Sequence, residues 1–399
     1  MSQPIRVVVV DDSALMRRVI TGLLEQDPAI QVVGTARDGR EAINQVEALR
    51  PDIVTMDVRM PVMDGLATTE HLMAYCPTPI LVLTASLASH DVDITFKMLG
   101  AGALEVIEKP SGHDPIALER TGRALIRRIK VLARVKVVTH LRGRRRSTVG
   151  PEAAGHIETK KHADKPARRH TSNGEEKTPQ PRPVSQFPTP PISRSPGLPP
   201  FPLIVIGAST GGPRVVYQLL AGLPADLPAA VLVVQHIAEG FSAGMAEWLA
   251  LASPLPVVLA KEGRPLRPGE ILIAPDQRDL LITREQTIHL SENPLLIQRP
   301  SIDISMQAAA EVFGPRAIGV LLTGMGRDGA YGMLTIRRAN GYTIAQDEAT
   351  STIFGMPRAA IQLGAANEVL PAPRIAARVA RLANEVSRAD LVPADKGAV

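Results

Sequence analysis

Short apolar runs alternate with helical patterns twice along this chain, and this alternation constrains the fold more than any other feature. In the N-terminal third the runs fall at 5–10, 31–36, 53–56, 80–83 and 104–107. They resume at 203–206, 229–234, 257–260, 271–274, 317–323, 342–345 and 368–370. Between the later runs, apolar residues recur at helical spacing near 213–223, 242–252, 302–313, 329–338 and 356–363. Short, β-rich runs bounded by turn residues read as buried strands. Strands alternating with helices predict a mainly parallel sheet covered on both faces. The expected fold class is therefore α/β, with two doubly wound parallel-sheet domains.

The stretch between the two series reads differently. After an amphipathic helix carrying Leu118, Leu125, Ile129 and Leu132 comes a basic cluster of Arg142, Arg144, Arg145 and Arg146, then a tract dense in proline. Low hydrophobicity cannot offset the entropy of ordering such a segment, so a flexible connector is expected over 134–200. It carries 14 Lys and Arg against 5 Asp and Glu, so +9 of charge sits there and the rest of the chain is near −4, for a total of +5. The basic balance therefore says little about the folded parts, and with Phe187 as its one aromatic the segment is a poor nucleic-acid arm. No helix-turn-helix pattern with a basic recognition face appears, which argues against a DNA-binding output. The longest apolar runs fall well short of the roughly 18 residues of a membrane span. The N-terminus lacks the marks of a signal peptide, and Cys76 stands alone, so a reducing, cytoplasmic setting is expected. The expected domains are 1–133, the connector 134–200, 201–389, and a tail 390–399.

Polar residues at strand ends carry the chemistry, because in doubly wound sheets those ends converge on one crevice. In the first unit they are Asp11 and Asp12, then Asp57, Thr84 and Lys109. Three carboxylates at one edge repel unless a divalent cation neutralises them, and oxygen ligands suit Mg²⁺. With a lysine and a hydroxyl beside them, an aspartate could accept a phosphoryl group. In the second unit a serine sits in the turn Gly207-Ala208-Ser209-Thr210-Gly211-Gly212, between a strand and a helix opened by Pro213. Such a turn can present a nucleophile or cradle a phosphate. It lacks the lysine of a P-loop and the spacing of a dinucleotide fingerprint. His236 and Asp328 close two further strands. A serine needs a base, and an imidazole needs a carboxylate to fix its tautomer, so the set favours hydrolysis. The order Ser, His, Asp differs from that of α/β-hydrolases.

Two resemblances sharpen this reading. Val10-Asp11-Asp12-Ser13, the run from Met56-Asp57 to Asp64-Gly65, Thr84-Ala85 and Lys109-Pro110 resemble the response-regulator receiver family. The resemblance implies phosphorylation of Asp57 by a histidine kinase. It also implies Mg²⁺ held by Asp12 and Asp57 with Asp11 and the carbonyl of Arg59, and a switch pair of Thr84 and Lys109. Many receivers carry a swinging aromatic three residues before the lysine; Val106 stands there in this chain. Past the connector, Gly207–Gly212, Val234-Gln235-His236, Arg299-Pro300-Ser301-Ile302-Asp303, Leu321–Gly329, Ala345–Glu348 and Phe354-Gly355-Met356-Pro357 are similar to the chemotaxis protein-glutamate methylesterase family. That implies a flavodoxin-like receiver followed by a Rossmann-like hydrolytic domain, which demethylates glutamyl methyl esters on chemoreceptors and deamidates receptor glutamines. It implies Ser209 as nucleophile, His236 as base and Asp328 as its orienter. Thr210 and Met325 would line the site and stabilise the oxyanion, and no cofactor is implied in that domain. The expected partners are methyl-accepting chemotaxis receptors and a chemotaxis histidine kinase, without nucleic acid or membrane insertion. A receiver with a non-catalytic ligand-binding output is the alternative. The pairing suggests that the receiver docks over the hydrolytic site until it is phosphorylated.

Overall fold

The computed structural model describes residues 3–85, 89–110, 115–135, 137, 199–291 and 300–389. Most of the expected connector and the whole expected tail lie outside these residues. The N–H groups of Arg134 and Val135 donate back to carbonyls at the end of the preceding helix.

The first unit is β1 (Ile5–Val10), α1 (Ala14–Leu24), β2 (Ile30–Ala36), α2 (Gly39–Leu49), β3 (Ile53–Asp57), α3 (Gly65–Tyr75), β4 (Ile80–Thr84), α4 (Ser89–Ala101), β5 (Glu105–Glu108) and α5 (Pro115–Leu132). Its sheet is parallel, in the order β2-β1-β3-β4-β5. The helices start where the sequence supplies a side-chain acceptor. Ser13, Asp38 and Asp64 each accept a backbone N–H of the first turn of α1, α2 and α3.

The second unit is β6 (Leu203–Ala208), α6 (Gly212–Ala221), β7 (Ala230–Gln235), α7 (Ser242–Ala250), β8 (Val257–Leu259), β9 (Ile271–Ile273), β10 (Asp279–Ile282), β11 (Ile288–Ser291), α8 (Ile302–Phe313), β12 (Ala317–Leu321), α9 (Ala330–Arg338), β13 (Tyr342–Gln346), α10 (Met356–Gln362), β14 (Glu368–Leu370) and α11 (Ala372–Ala389). Seven strands form a parallel sheet in the order β14-β13-β12-β6-β7-β9-β8. Residues of β6, β7 and β12 are buried along their whole length, as covered parallel strands must be. The antiparallel hairpin β10–β11 and the helix α11 were not expected from the sequence.

Strand order reverses at β6. The chain runs outward from β6 through β7 on one side and returns to place β12 on the other. A crevice opens at such a reversal, outside the carboxyl ends of the strands. The turn at Ser209 lies there.

Candidate active site

Ladder register brings Ser209 and His236 together. The pairing of β6 with β7 ends at Ala208 opposite Gln235, and the N–H of His236 donates to the carbonyl of Ala208 at 3.0 Å. Ser209 and His236 are the next residue on each strand, and neighbouring strands lie about 5 Å apart. On the other side of β6, the N–H of Ser209 donates to the carbonyl of Thr323 at 3.0 Å, which anchors the loop leading to Asp328. Gly211, the residue before α6, has φ 75°, a left-handed value that glycine adopts without penalty. A Cβ there would come within 2.4 Å of the Thr352 hydroxyl.

The carboxylate of Asp328 meets Nε2 of His236 at 2.8 Å. Nε2 therefore carries the proton towards Asp328, which leaves Nδ1 as the basic nitrogen. Asp328 lies just before α9, where a carboxylate could cap the helix. That role falls to Gly329, and the carboxylate of Asp328 turns instead to the start of α8. It accepts the N–H groups of Ile302 (2.8 Å) and Asp303 (3.0 Å) and the hydroxyl of Ser301 (3.1 Å). Burial alone would raise its pKa. The hydrogen bond and charge of His236, with the backbone donors of Asp303 and Ile302, outweigh burial and hold the carboxyl below its ordinary value. Asp303 stands in the reciprocal position, accepting the N–H of Gly332 in α9 at 2.7 Å. Its burial, the nearby charge of Asp328 adding to it, pushes Asp303 up to about 6 despite the backbone donors it engages.

Ser209, Thr210, His236, Met325 and Asp328 all line one cavity of about 280 Å³. Its far wall comes from the first unit, through Leu99, Leu104, Glu105, Val106, Ile107 and Arg128. The hydroxyl of Thr210 donates to Glu105 at 3.0 Å, and Arg128 pairs with the other oxygen of that carboxylate at 2.8 Å. Burial raises the pKa of Glu105, against the pull of Arg128 and Thr210. The N–H of Gly211 donates to the carbonyl of Leu104 at 3.3 Å. Beside the cavity, Phe96 of α4 stacks on Trp248 of α7 with ring centroids 5.4 Å apart, and meets Phe241 edge-on at 6.4 Å. None of Leu104, Glu105, Arg128, Gln235 and Ser301 was singled out from the sequence by a chemical role. Their importance comes from contacts remote in the chain.

The second polar cluster lies at the carboxyl edge of the first sheet. Oxygens of Asp11, Asp12 and Asp57 fall within 4.8 Å of one another. Lys109 Nζ lies 2.7 Å from Asp11 and 2.8 Å from Asp57. Burial pushes the Asp57 carboxyl up against the pull of Lys109. For Lys109 itself the two carboxylates outweigh burial and hold the ammonium above its usual value. Thr84 is buried at the end of β4, and its carbonyl accepts the N–H of Lys109 at 2.7 Å. Three carboxylates against one ammonium leave uncompensated negative charge, and the all-oxygen donor set fits a hard divalent cation.

Comparison with known proteins decides the family. Residues 204–379 match the family model described as CheB methylesterase, and residues 7–119 match the response regulator receiver domain. A protein-glutamate methylesterase/protein-glutamine glutaminase of Anaeromyxobacter dehalogenans is 42% identical over 375 residues, covering 94% of this chain and 95% of its own. The chain belongs to the protein-glutamate methylesterase/protein-glutamine glutaminase family. A second member, from Symbiobacterium thermophilum, is 39% identical over 384 residues, covering 96% of this chain and 98% of that one. Among solved structures, the CheB methylesterase catalytic domain of Thermotoga maritima is 36% identical and spans 46% of this chain and 98% of its own, with a TM-score of 0.44. The two curated relatives align across both units of the chain. Among the described residues, no helix is long and apolar enough to cross a membrane.

Proposed function

We propose that this chain is a phosphorylation-activated serine hydrolase of chemotaxis signalling, acting in the cytoplasm on glutamyl methyl esters and glutamines of chemoreceptors. The observation that carries the reading is that Ser209, His236 and Asp328 line one cavity beyond three neighbouring strand ends, with His236 Nε2 2.8 Å from the Asp328 carboxylate. The Ser209 oxygen attacks the ester or amide carbonyl while Nδ1 of His236 takes its proton. Asp328 stabilises the imidazolium so formed. Negative charge moves to the carbonyl oxygen, where Thr210 and Met325 line the site. Collapse expels methanol or ammonia, which leaves with the proton from His236. Water then attacks the acyl-enzyme with His236 as base, releasing glutamate and restoring Ser209. One tetrahedral path serves both substrates.

In the receiver, Asp57 accepts the phosphoryl group from a chemotaxis histidine kinase. Asp11, Asp12 and Asp57 would hold Mg²⁺, which would offset charge on the phosphoryl oxygens. Lys109 and Thr84 read the new anion. The regulatory logic follows from which donors the receiver occupies. In the docked arrangement Glu105 takes the hydroxyl of Thr210 and Leu104 takes the N–H of Gly211, both in the turn that must receive the substrate carbonyl. Phosphorylation opens the site only in so far as it favours the undocked arrangement by its own free energy. The test is methanol release from methylated receptor membranes, with and without a small-molecule phosphodonor. Wild type should release methanol faster with phosphodonor. Ser209→Ala should release none while Asp57 still takes up phosphate, and turnover surviving in that variant removes the assigned nucleophile.

A further inference from the structure

The β6–β7 ladder ends with the N–H of His236 donating to the carbonyl of Ala208, and past it the two segments share no further backbone hydrogen bond among the described residues. One side chain spans the gap. Gln235 is 1% exposed, and its Nε2 donates to the carbonyl of Ser209 at 2.8 Å and to the carbonyl of His236 at 2.8 Å. Both amide protons are thereby used. The nitrogen assignment follows from the surroundings, since an oxygen in its place would face two carbonyl oxygens. The cost of the arrangement appears at the other end of the amide, where Oε1 is buried without a hydrogen-bond partner among the described residues. An apolar side chain would avoid that cost.

We propose that Gln235 is a positioning residue, clamping the backbones of Ser209 and His236 at a fixed separation. The proposal rests on the hydrolase reading above and adds to it a residue outside the triad. The carbonyl of Ser209 is gripped twice, by Gln235 and by the N–H of Gly212 at 2.8 Å. The carbonyl and N–H of a trans peptide point in opposite directions. Holding the Ser209 carbonyl therefore also sets the direction of the Thr210 N–H. That is the one amide of the turn without a backbone acceptor among the described residues, since those of Ser209, Gly211 and Gly212 all donate to carbonyls. The clamp thus orders three things together: the nucleophile, the base and an oxyanion donor. Gly212 is part of the same device. A Cβ at 212 would come within 2.3 Å of Gln235 Oε1 and 2.8 Å of the Ala208 Cβ, so glycine there leaves room for the amide.

The test uses the full chain with Mg²⁺ and a small-molecule phosphodonor present throughout, so that the receiver is phosphorylated, and a fluorophosphonate, which reports the Ser209–His236 pair without needing the receptor. Labelling rates are measured against probe concentration for wild type, Gln235→Met, Gly212→Ala and the double variant, with circular dichroism to follow the fold. Misalignment predicts a maximal labelling rate at least about tenfold lower in each single variant, with the half-saturating concentration nearly unchanged. Because both substitutions break one clamp, the double variant should be little slower than the slower single one. Gln235→Met labelling at the wild-type rate overturns the proposal, as do effects that multiply in the double variant. Loss of the folded signal in Gln235→Met overturns it too, by assigning the amide to stability. Wild type that fails to label, with a native fold, counts instead against the hydrolase reading itself.

Discussion

Asp328 and Asp303 show how two carboxylates a few ångströms apart are given different work. Each sits at the start of the other's helix: Asp328 precedes α9 and accepts from α8, while Asp303 belongs to α8 and accepts from α9. His236 keeps the first ionised, so any proton the pair takes up goes to the second. The consequence for stability follows in sign. Asp303 is pushed up to about 6 in the folded chain, above the 3.8 of an ordinary aspartate. Its contribution is fully present below about pH 4 and is lost as pH rises through 6. Asp328, held low, contributes in the opposite sense, losing stability only as pH falls through its depressed pKa. Wild type should therefore lose thermal midpoint between pH 4 and 7 on this account, and Asp303→Asn should flatten that fall. An unchanged slope in that variant would show that Asp303 does not bind the proton in question.

At the scale of elements, α8 is held at its first turn by acceptors from elsewhere in the fold. Ser301 caps it through the N–H of Ile304, and its own N–H donates to the buried Asp279 on β10 at 2.9 Å. Its hydroxyl also reaches Asp328. Ser301→Ala should cost about 1 kcal/mol in denaturant unfolding, as loss of a helix cap does, and should slow turnover because Asp328 loses a donor. The strands and helices that face the crevice were legible because their apolar runs are continuous and their ends carry Asp, Ser or His. The hairpin that supplies Asp279 was not. Its strands have four residues each, too short to stand out: β10 offers three apolar residues after Asp279, and β11 alternates Ile288 and Leu290 with His289 and Ser291. Helix α11 was hidden by Pro371 and Pro373 at its start and by a stripe thinned with alanines. Ser209, His236 and Asp328 were legible by type and strand-end position, and register explains why they line one cavity. Gln235, Glu105 and Arg128 were not, because nothing in the local sequence says which carbonyl or hydroxyl a long side chain will reach.

At the scale of the molecule, the two units meet on an apolar patch with a polar latch. The patch is Phe96 against Trp248 and Phe241, and the latch is Arg128–Glu105–Thr210. Val106 occupies the place where many receivers carry an aromatic, and here that position is buried and lines the cavity shared with the second unit. The aromatic contact between units is made by α4 instead. Glu105→Ala removes the acceptor that holds Thr210 while leaving the phosphorylation site untouched. Methanol release by the unphosphorylated variant should rise several-fold, and the further gain on adding phosphodonor should shrink, since part of the restraint is already gone. Basal turnover equal to wild type would place the restraint in the aromatic patch alone.

Trp248 is the chain's sole tryptophan, and it is buried between Phe96 of one unit and Tyr217 of its own. All indole emission therefore originates at the seam. If the units part when Asp57 is phosphorylated, the ring gains water and its emission should shift to longer wavelength, in step with catalytic activation. The protein carries a native optical gauge of its own opening, readable in a cuvette without any attached dye.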